Sequence, residues 1–149
     1  MDFHEDTEVS LGKARWAESG ETSSWGSPSF VVDQEEKGLL GRAVRDYRYV
    51  NSQTEGESWP SPNADLILGR AQRACLHSTL DLVWGFTQLS IDQRTSELLA
   101  LVTRRGLLFP TVLNFGAKQG PPIFQRLMDE TFGHLKDKDG EAFLGIFID

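Results

Sequence analysis

The apolar residues of the chain occur in short runs, and this pattern limits the folds open to it. The longest uninterrupted runs are Leu98–Val102 and, with Gly145 counted as neutral, Phe143–Ile148. A membrane-spanning helix needs about 20 apolar residues, so no spanning segment is predicted. Hydrophobic residues make up 39% of the 149 residues. This is enough for the core of one domain, or of one domain with a smaller lobe.

Strand-like and helix-like patterns follow one another irregularly. Short apolar runs flanked by turn residues predict strands at Phe30–Val32, Arg42–Tyr47, His77–Val83, Leu98–Thr103, Leu107–Leu113 and Phe143–Ile148. The first two strands are expected to form a hairpin with its tip at residues 34–41, and residues 51–62 are expected to form a loop. One helix is predicted to begin after a capping Asn63, and another to be entered through Pro121 and Pro122. Because the order is not a regular βαβ alternation, the sequence predicts an α+β fold.

The acidic charge lies at the start of the sequence. The net charge is −7, and residues 1–36 hold nine Asp or Glu against two Lys or Arg, whereas the remainder is balanced. Residues 1–22 are therefore predicted to be an acidic, irregular N-terminal arm. The first ten residues hold four acids and no Lys or Arg, which is unlike a secretory or mitochondrial leader. Cys75 is the single cysteine, which excludes an intrachain disulfide and fits an intracellular location, cytoplasmic or nuclear.

Two aspartates stand in apolar surroundings. Asp81 interrupts the run from Leu80 to Val83, and Asp149 follows the apolar run that ends at Ile148. A carboxylate among apolar neighbours is costly to ionise unless a cation or a donor faces it. Carboxylates at adjacent strand ends suit Mg²⁺, which binds oxygen ligands together with substrate phosphates. The pattern is compatible with a metal site, but by itself it favours exposed aspartates at strand ends.

Four blocks of sequence carry a further pattern. They are WGSPSFVV at Trp25–Val32 with RAVRDYRYVN at Arg42–Asn51, STLDLVWGFTQL at Ser78–Leu89, GLLFPTVLNFG at Gly106–Gly116 followed by Pro121 and FQRLMD at Phe124–Asp129, and FID at Phe147–Asp149. In this order and spacing they resemble the reverse transcriptases of gypsy-type LTR retrotransposons. The block around Asp81 is similar to the first aspartate motif of that family, and the last block to the first three positions of its Y-x-D-D motif. The resemblance covers about residues 23–149.

The resemblance implies a right-hand polymerase fold and an RNA-directed DNA polymerase activity. Residues 23–57 and 89–120 would form the fingers, and residues 58–88 and 121–149 a partial palm whose antiparallel strands pack on helices. The thumb, the rest of the palm and a ribonuclease H domain are absent from the 149 residues. The implied partners are an RNA or DNA template, a primer and a dNTP, with no membrane partner.

The resemblance also assigns roles to particular residues. Asp81, the carbonyl of Leu82 and Asp149 would hold two Mg²⁺ ions for nucleotidyl transfer to a primer 3′-hydroxyl, with Asp81 and Asp149 as the catalytic carboxylates. The implied nucleotide-binding residues are Arg42, Lys37, Phe86, Phe115 and Gly116. Among them Phe86 would lie under the incoming sugar and exclude a ribose 2′-hydroxyl by its bulk. The remaining arginines Arg45, Arg48 and Arg70 are expected to be solvated or to face the template.

The sequence departs from the family pattern at several points. The stretch Asp33–Gly38 replaces a lysine-rich hairpin and leaves only Lys37 to face the triphosphate, while Gln119 and Gly120 replace an Asn-Ala pair. The sequence stops at the first aspartate of the Y-x-D-D-like motif, which predicts a truncated fragment that is inactive alone. The alternative is a co-opted, non-catalytic module for nucleic-acid or protein interaction, or a pseudogene remnant.

Overall fold

The computed structural model describes residues 5, 7–9, 12–34, 39–56, 58–60, 62–72, 75–136 and 144–148. The strands are β1 (Ala14–Trp16), β2 (Ser27–Gln34), β3 (Leu39–Arg45), β4 (Leu101–Thr103) and β5 (Gly106–Pro110), and the helices are α1 (Arg48–Gln53), α2 (Ala64–Ala71), α3 (Gln93–Leu98) and α4 (Gly120–Phe132), with a 3₁₀ turn at Gly85–Gln88. The chain divides into two compact units. The first unit comprises Met1–Glu55 and Trp84–Lys118, and the second unit comprises Gly56–Val83 and Gln119–Asp149. The assignment of fingers and palm stays a prediction.

A five-stranded sheet in the order β1-β5-β4-β2-β3 forms the first unit. The predicted hairpin of β2 and β3 is present, with Phe30 opposite Val44 and Gln34 opposite Leu39. Strands β4 and β5 form a second antiparallel hairpin, whose turn ends at Gly106 with a φ of 126°. Glycine adopts this conformation without the steric cost that other residues meet. The two hairpins join through a parallel pairing of β2 with β4.

The core of the first unit lies against this sheet. Its buried apolar members are Ala14, Tyr47, Val50, Leu99, Leu101 and Leu108. They come from β1, the N-cap and interior of α1, the turn after α3, and the strands β4 and β5. Several short elements therefore share one core, and none of them is long enough to bury an apolar face on its own.

The prediction of an irregular N-terminal arm is wrong for residues 14–16. These residues form β1, which pairs antiparallel with β5, so that Ala14 lies opposite Pro110 and Trp16 opposite Leu108. Ala14 is buried in the core. A strand of three residues is too short to show an alternating pattern, and its partner lies far away in the sequence. Local reading of the sequence therefore missed it.

Two helices lie partly where the sequence predicts other elements. Helix α1 (Arg48–Gln53) extends into the start of the predicted loop at residues 51–53. Helix α3 (Gln93–Leu98) ends where the predicted strand Leu98–Thr103 begins, and β4 starts at Leu101. Each helix spans six residues, which is less than two full helical turns, so apolar periodicity gives little signal. Helix α3 nevertheless has a local signal in the sequence, a capping residue, because the Asp92 side chain accepts a hydrogen bond from the Thr95 amide at 2.9 Å.

The second unit contains α2 and α4, and both predicted helix starts are confirmed. The Asn63 side chain accepts a hydrogen bond from the Asp65 amide at 2.9 Å, and prolines occupy the first turn of α4. Within this unit the Trp59 indole donates to the Asp129 carboxylate at 2.7 Å. The same carboxylate accepts from the Gln125 amide at 2.9 Å. This network ties the segment before α2 to α4.

The strands predicted at His77–Val83 and Phe143–Ile148 are not formed in the described residues of those ranges. Backbone N–H and C=O groups form a strand only where a neighbouring strand pairs with them. In the part of the chain that the structure describes, neither range has such a neighbour. Leu80, in the middle of the first range, is accordingly almost fully exposed. The prediction of antiparallel palm strands is therefore wrong at these two positions. The predicted α+β class is confirmed.

No helix among the described residues is both long enough and apolar enough to cross a membrane.

The ion pair of Arg15 with Glu21 makes the stability of the first unit sensitive to acid. Both guanidinium NH groups donate to the carboxylate at 2.7 Å, and the Glu18 amide adds a third hydrogen bond at 2.9 Å. The Arg15 hydrogen bonds, followed by the Glu18 amide, lower the pKa of Glu21 from 4.5 to about 2. A carboxyl group with a lowered folded-state pKa stabilises the fold above its unfolded pKa. This contribution disappears as the pH falls through the folded value.

We therefore expect the urea midpoint of the wild type to fall between pH 4.5 and about 2 more steeply than that of Glu21→Gln. Because other carboxyl groups titrate in the same range, the difference between the two proteins is the quantity to compare. Glu18→Gln retains the Arg15–Glu21 pair and should follow the wild type. Parallel curves for wild type and Glu21→Gln would contradict the expectation.

Candidate functional site

Two of the predicted nucleotide-binding residues are in contact. Phe86 lies in the 3₁₀ turn Gly85–Gln88, and Phe115 lies in the loop after β5. Their ring centroids are 5.1 Å apart with an interplanar angle of 87°. Edge-to-face pairs of this kind are favourable because the positive ring edge meets the negative ring face. Phe115 keeps 42% of its surface exposed, so the pair presents an aromatic surface to solvent.

Gly116, the third predicted residue of this group, has a positive φ of 93°. Residues with a Cβ rarely adopt this conformation, so the position favours glycine. A Cβ atom at Gly116 would lie 3.7 Å from Cδ2 of Tyr47. This is an ordinary contact distance, so the backbone conformation, and not a lack of space, explains the glycine.

The loop of residues 115–118 is held by Asn51, a residue to which the sequence analysis gave no role. The Asn51 Nδ2 donates to the Gly116 carbonyl at 2.8 Å, and its Oδ1 accepts from the Lys118 amide at 2.8 Å. The Lys118 Nζ donates in turn to the Thr54 carbonyl at 2.8 Å. Both ends of one side-chain amide are used, and the loop is therefore fixed to α1.

Beneath this loop lies Tyr47, which the sequence analysis also left without a role. Its side chain is only 2% exposed. The hydroxyl donates to the Leu99 carbonyl at 3.2 Å and accepts from the Asn114 side chain at 3.4 Å. Burial raises the pKa of Tyr47. Tyr47 and Asn51 both lie in the Arg42–Asn51 block, and Asn114 directly precedes Phe115. The motif blocks themselves were thus the signal for these residues.

The arginines of the Arg42–Asn51 block have different environments. Arg48 chelates Asp46 through Nε at 2.8 Å and a terminal nitrogen at 2.6 Å, and these hydrogen bonds lower the pKa of Asp46 to about 2. Arg45 is paired with Glu8, and burial lowers the pKa of Arg45. The expectation that Arg45 is solvated is therefore wrong. Its partner Glu8 lies in the N-terminal segment, where no sequence pattern predicts an ordered element.

The two cationic residues predicted to face the triphosphate are Arg42 and Lys37. Arg42 lies in β3 opposite Val32, and its side chain lies outside the described part. Lys37 falls outside the described residues altogether. Their roles therefore stay predictions.

The predicted metal ligands belong to the second unit. Asp81 and Leu82 are exposed, and Asp149 lies outside the described residues. Among the described residues, no group of three His, Cys, Asp or Glu side chains is placed to hold a metal ion. Carboxylate oxygens suit Mg²⁺, but Asp81 alone does not complete a site.

No protein-family model matches the chain. An enzymatic polyprotein of Cauliflower mosaic virus (strain D/H) is 36% identical over 108 residues, which are 71% of this chain and 16% of the polyprotein. A retrovirus-related Pol polyprotein from transposon 297 of Drosophila melanogaster is 32% identical over 129 residues, 85% of this chain and 12% of that protein. The chain therefore spans less than a fifth of these relatives.

The fold has counterparts among solved structures. A foamy viral protease-reverse transcriptase in complex with an RNA/DNA hybrid matches 97% of this chain and 18% of its own chain, with a TM-score of 0.70 and 18% identity. At this identity the match concerns the fold alone. The chain is thus similar in sequence to viral and retrotransposon polyproteins, and in fold to part of a reverse transcriptase.

Proposed function

We propose that the chain is the fingers and the first half of the palm of an RNA-directed DNA polymerase of the gypsy-type LTR retrotransposon kind. The observation that carries the proposal is the contact of Phe86 with Phe115 beside Gly116. These residues come from two separate motif blocks, and the fold brings them together. The similarity to retroelement polyproteins and the reverse transcriptase fold support it.

In this proposal the residues divide the work of nucleotidyl transfer. Phe86 and Phe115 form the aromatic floor of the nucleotide site, and the bulk of Phe86 excludes a ribose 2′-hydroxyl. Arg42 and Lys37 face the triphosphate, since a guanidinium fork matches phosphate oxygens. Asp81, the Leu82 carbonyl and Asp149 are the proposed ligands of Mg²⁺. When bound, Mg²⁺ would supply charge stabilisation for the primer 3′-oxygen and the leaving pyrophosphate.

We further propose that the partners are an RNA or DNA template with a primer, and that the 149 residues do not polymerise on their own. The similar foamy viral enzyme was solved with an RNA/DNA hybrid, which supports a nucleic-acid partner. The chain spans only 16% and 12% of its two polyprotein relatives. Positioning of primer, template and nucleotide needs surfaces on several sides of the site. We expect the remaining parts of the polymerase to provide them.

The proposal predicts salt-dependent binding of a primer–template without extension. Fluorescence anisotropy of a labelled RNA/DNA hybrid should give an affinity that falls steadily as salt rises, because phosphate contacts release counterions. A gel assay with Mg²⁺ and dNTPs should show no extended primer. Weak binding that does not change with salt would favour the non-catalytic interaction module. Clear template-dependent extension would contradict the expected inactivity of the chain alone.

A further inference from the structure

Trp84 is held in a backbone conformation that disfavours its side chain. Its φ is 58° and its ψ is 38°, and it is the one non-glycine residue with positive φ in the described part of the chain. Such a conformation is sterically strained for a bulky residue and persists where surrounding contacts enforce it. The Trp84 carbonyl accepts from the Thr87 amide at 3.0 Å and from the Thr87 hydroxyl at 2.9 Å. The strained residue therefore starts the 3₁₀ turn of Gly85–Gln88.

Trp84 is 60% exposed as a residue, so burial alone does not hold its side chain. The ammonium of Lys13 lies 3.7 Å from the ring centroid, which is a close cation–π contact. This contact joins the strained turn to a residue in the N-terminal part of the same unit.

Lys13 is anchored where its side chain begins. Its amide donates to the Glu8 carbonyl at 2.9 Å, and its carbonyl accepts from the Thr111 amide at 2.9 Å. The Gly12 carbonyl accepts in addition from the Thr111 hydroxyl. The next residue begins β1, where Ala14 is buried. A lysine with a fixed backbone places its ammonium more reproducibly than one on a loose arm, because less conformational entropy is lost on contact.

We propose that residues 12–16 form a strap that holds the Trp84 turn in place, with Lys13 as a positioning residue. The turn presents Phe86, two residues beyond Trp84, to Phe115. The functional consequence of placing Phe86 there rests on the proposed function, in which Phe86 contacts the incoming nucleotide. The strap itself follows from the contacts of Lys13 and Trp84. Through this strap, the N-terminal segment helps to fix the position of the Phe86 ring and does not act merely as a linker.

The test is ¹⁹F and amide NMR of the full 149-residue chain labelled with 5-fluorotryptophan, with Trp84 assigned through Trp84→Phe. Lys13→Gln should shift the Trp84 fluorine signal and raise amide exchange at Thr87 by about two- to fivefold, the factor that corresponds to an exposed cation–π contact. Lys13→Arg keeps a cation over the ring and should restore both readings. Lys136→Gln removes the same charge from an exposed residue and should leave the turn unchanged.

The outcome can be separated from that of the proposed function. Lys13→Gln could change the NMR signals of residues 12–16 alone, or give the same Trp84 fluorine signal and Thr87 exchange rate as Lys136→Gln. Either result overturns the strap, whatever the chain binds. If the turn responds but the chain binds no RNA/DNA hybrid, the strap stands and the proposed function fails. Loss of the whole spectrum in Lys13→Gln would mean that Lys13 supports the fold in general, which also contradicts the proposal.

Discussion

Replacement of Tyr47 by alanine is expected to lower the free energy of unfolding of the first unit by about 3–5 kcal/mol, the cost typical of removing a buried aromatic side chain. The ring lies in the core, and its hydroxyl connects the start of α1 to the turn after α3 by donating to the Leu99 carbonyl. Alanine would leave a cavity there, and the Leu99 carbonyl and the Asn114 amide would each lose a hydrogen-bond partner. Urea unfolding followed by circular dichroism measures the change.

Two further variants separate the parts of this effect. Tyr47→Phe keeps the ring and removes the hydroxyl, so a loss of about 1 kcal/mol is expected from the missing hydrogen bonds. Tyr49→Ala makes the same truncation two residues later, at a side chain that is 69% exposed. Its ring contacts only Trp25 among the aromatic contacts that the structure describes, with centroids 5.8 Å apart. Its cost should stay below about 1.5 kcal/mol. Equal losses for Tyr47→Ala and Tyr49→Ala would contradict the assignment of Tyr47 to the core.

The elements that the sequence predicted correctly have local physical causes. Asn63 can cap a helix because its side chain reaches the amide of Asp65, and prolines fit the first turn of α4 because that turn needs no N–H. Gly106 allows the tight turn between β4 and β5. Strand β1, which the sequence does not predict, depends instead on a distant partner. β1 is a strand only because β5 lies beside it, and no local pattern encodes that pairing.

The same distinction applies to the candidate site. The motif blocks identified Phe86, Phe115 and Gly116, and the fold places Phe86 and Phe115 in contact. The motifs did not show that Asn51 would hold the loop, or that Trp84 would take a strained conformation under Lys13. These are relations between segments, and a motif read along the chain gives residue types without their partners. The roles of Lys37 and Asp149 stay predictions, since neither is among the described residues.

Removal of the Asn51 side chain is expected to release the loop that carries Phe115. In Asn51→Ala, the Lys118 amide loses its acceptor and the Gly116 carbonyl loses its donor. Each hydrogen bond contributes about 1 kcal/mol net, so a loss of about 1–2 kcal/mol in unfolding free energy is expected. The larger effect should be local. The Lys118 amide should exchange with solvent at the rate of an open loop, while amides in β5 keep their protection.

Two neighbouring substitutions show whether this effect comes from the clamp. Asn51→Asp keeps an oxygen that accepts from the Lys118 amide but faces the Gly116 carbonyl with a second acceptor. We therefore expect the Lys118 amide to keep part of its protection from exchange, while the Gly116 carbonyl is no longer held by a donor. Ser52→Ala removes a hydroxyl that, within the described part of the chain, bonds the Tyr49 carbonyl in α1 and the neighbouring Gln53 side chain, so the loop should not respond. Full protection of Lys118 in Asn51→Ala would mean that the loop is held by its own backbone. The position of Phe115 would then be set by the backbone conformation at Gly116 and not by the hydrogen bonds to α1.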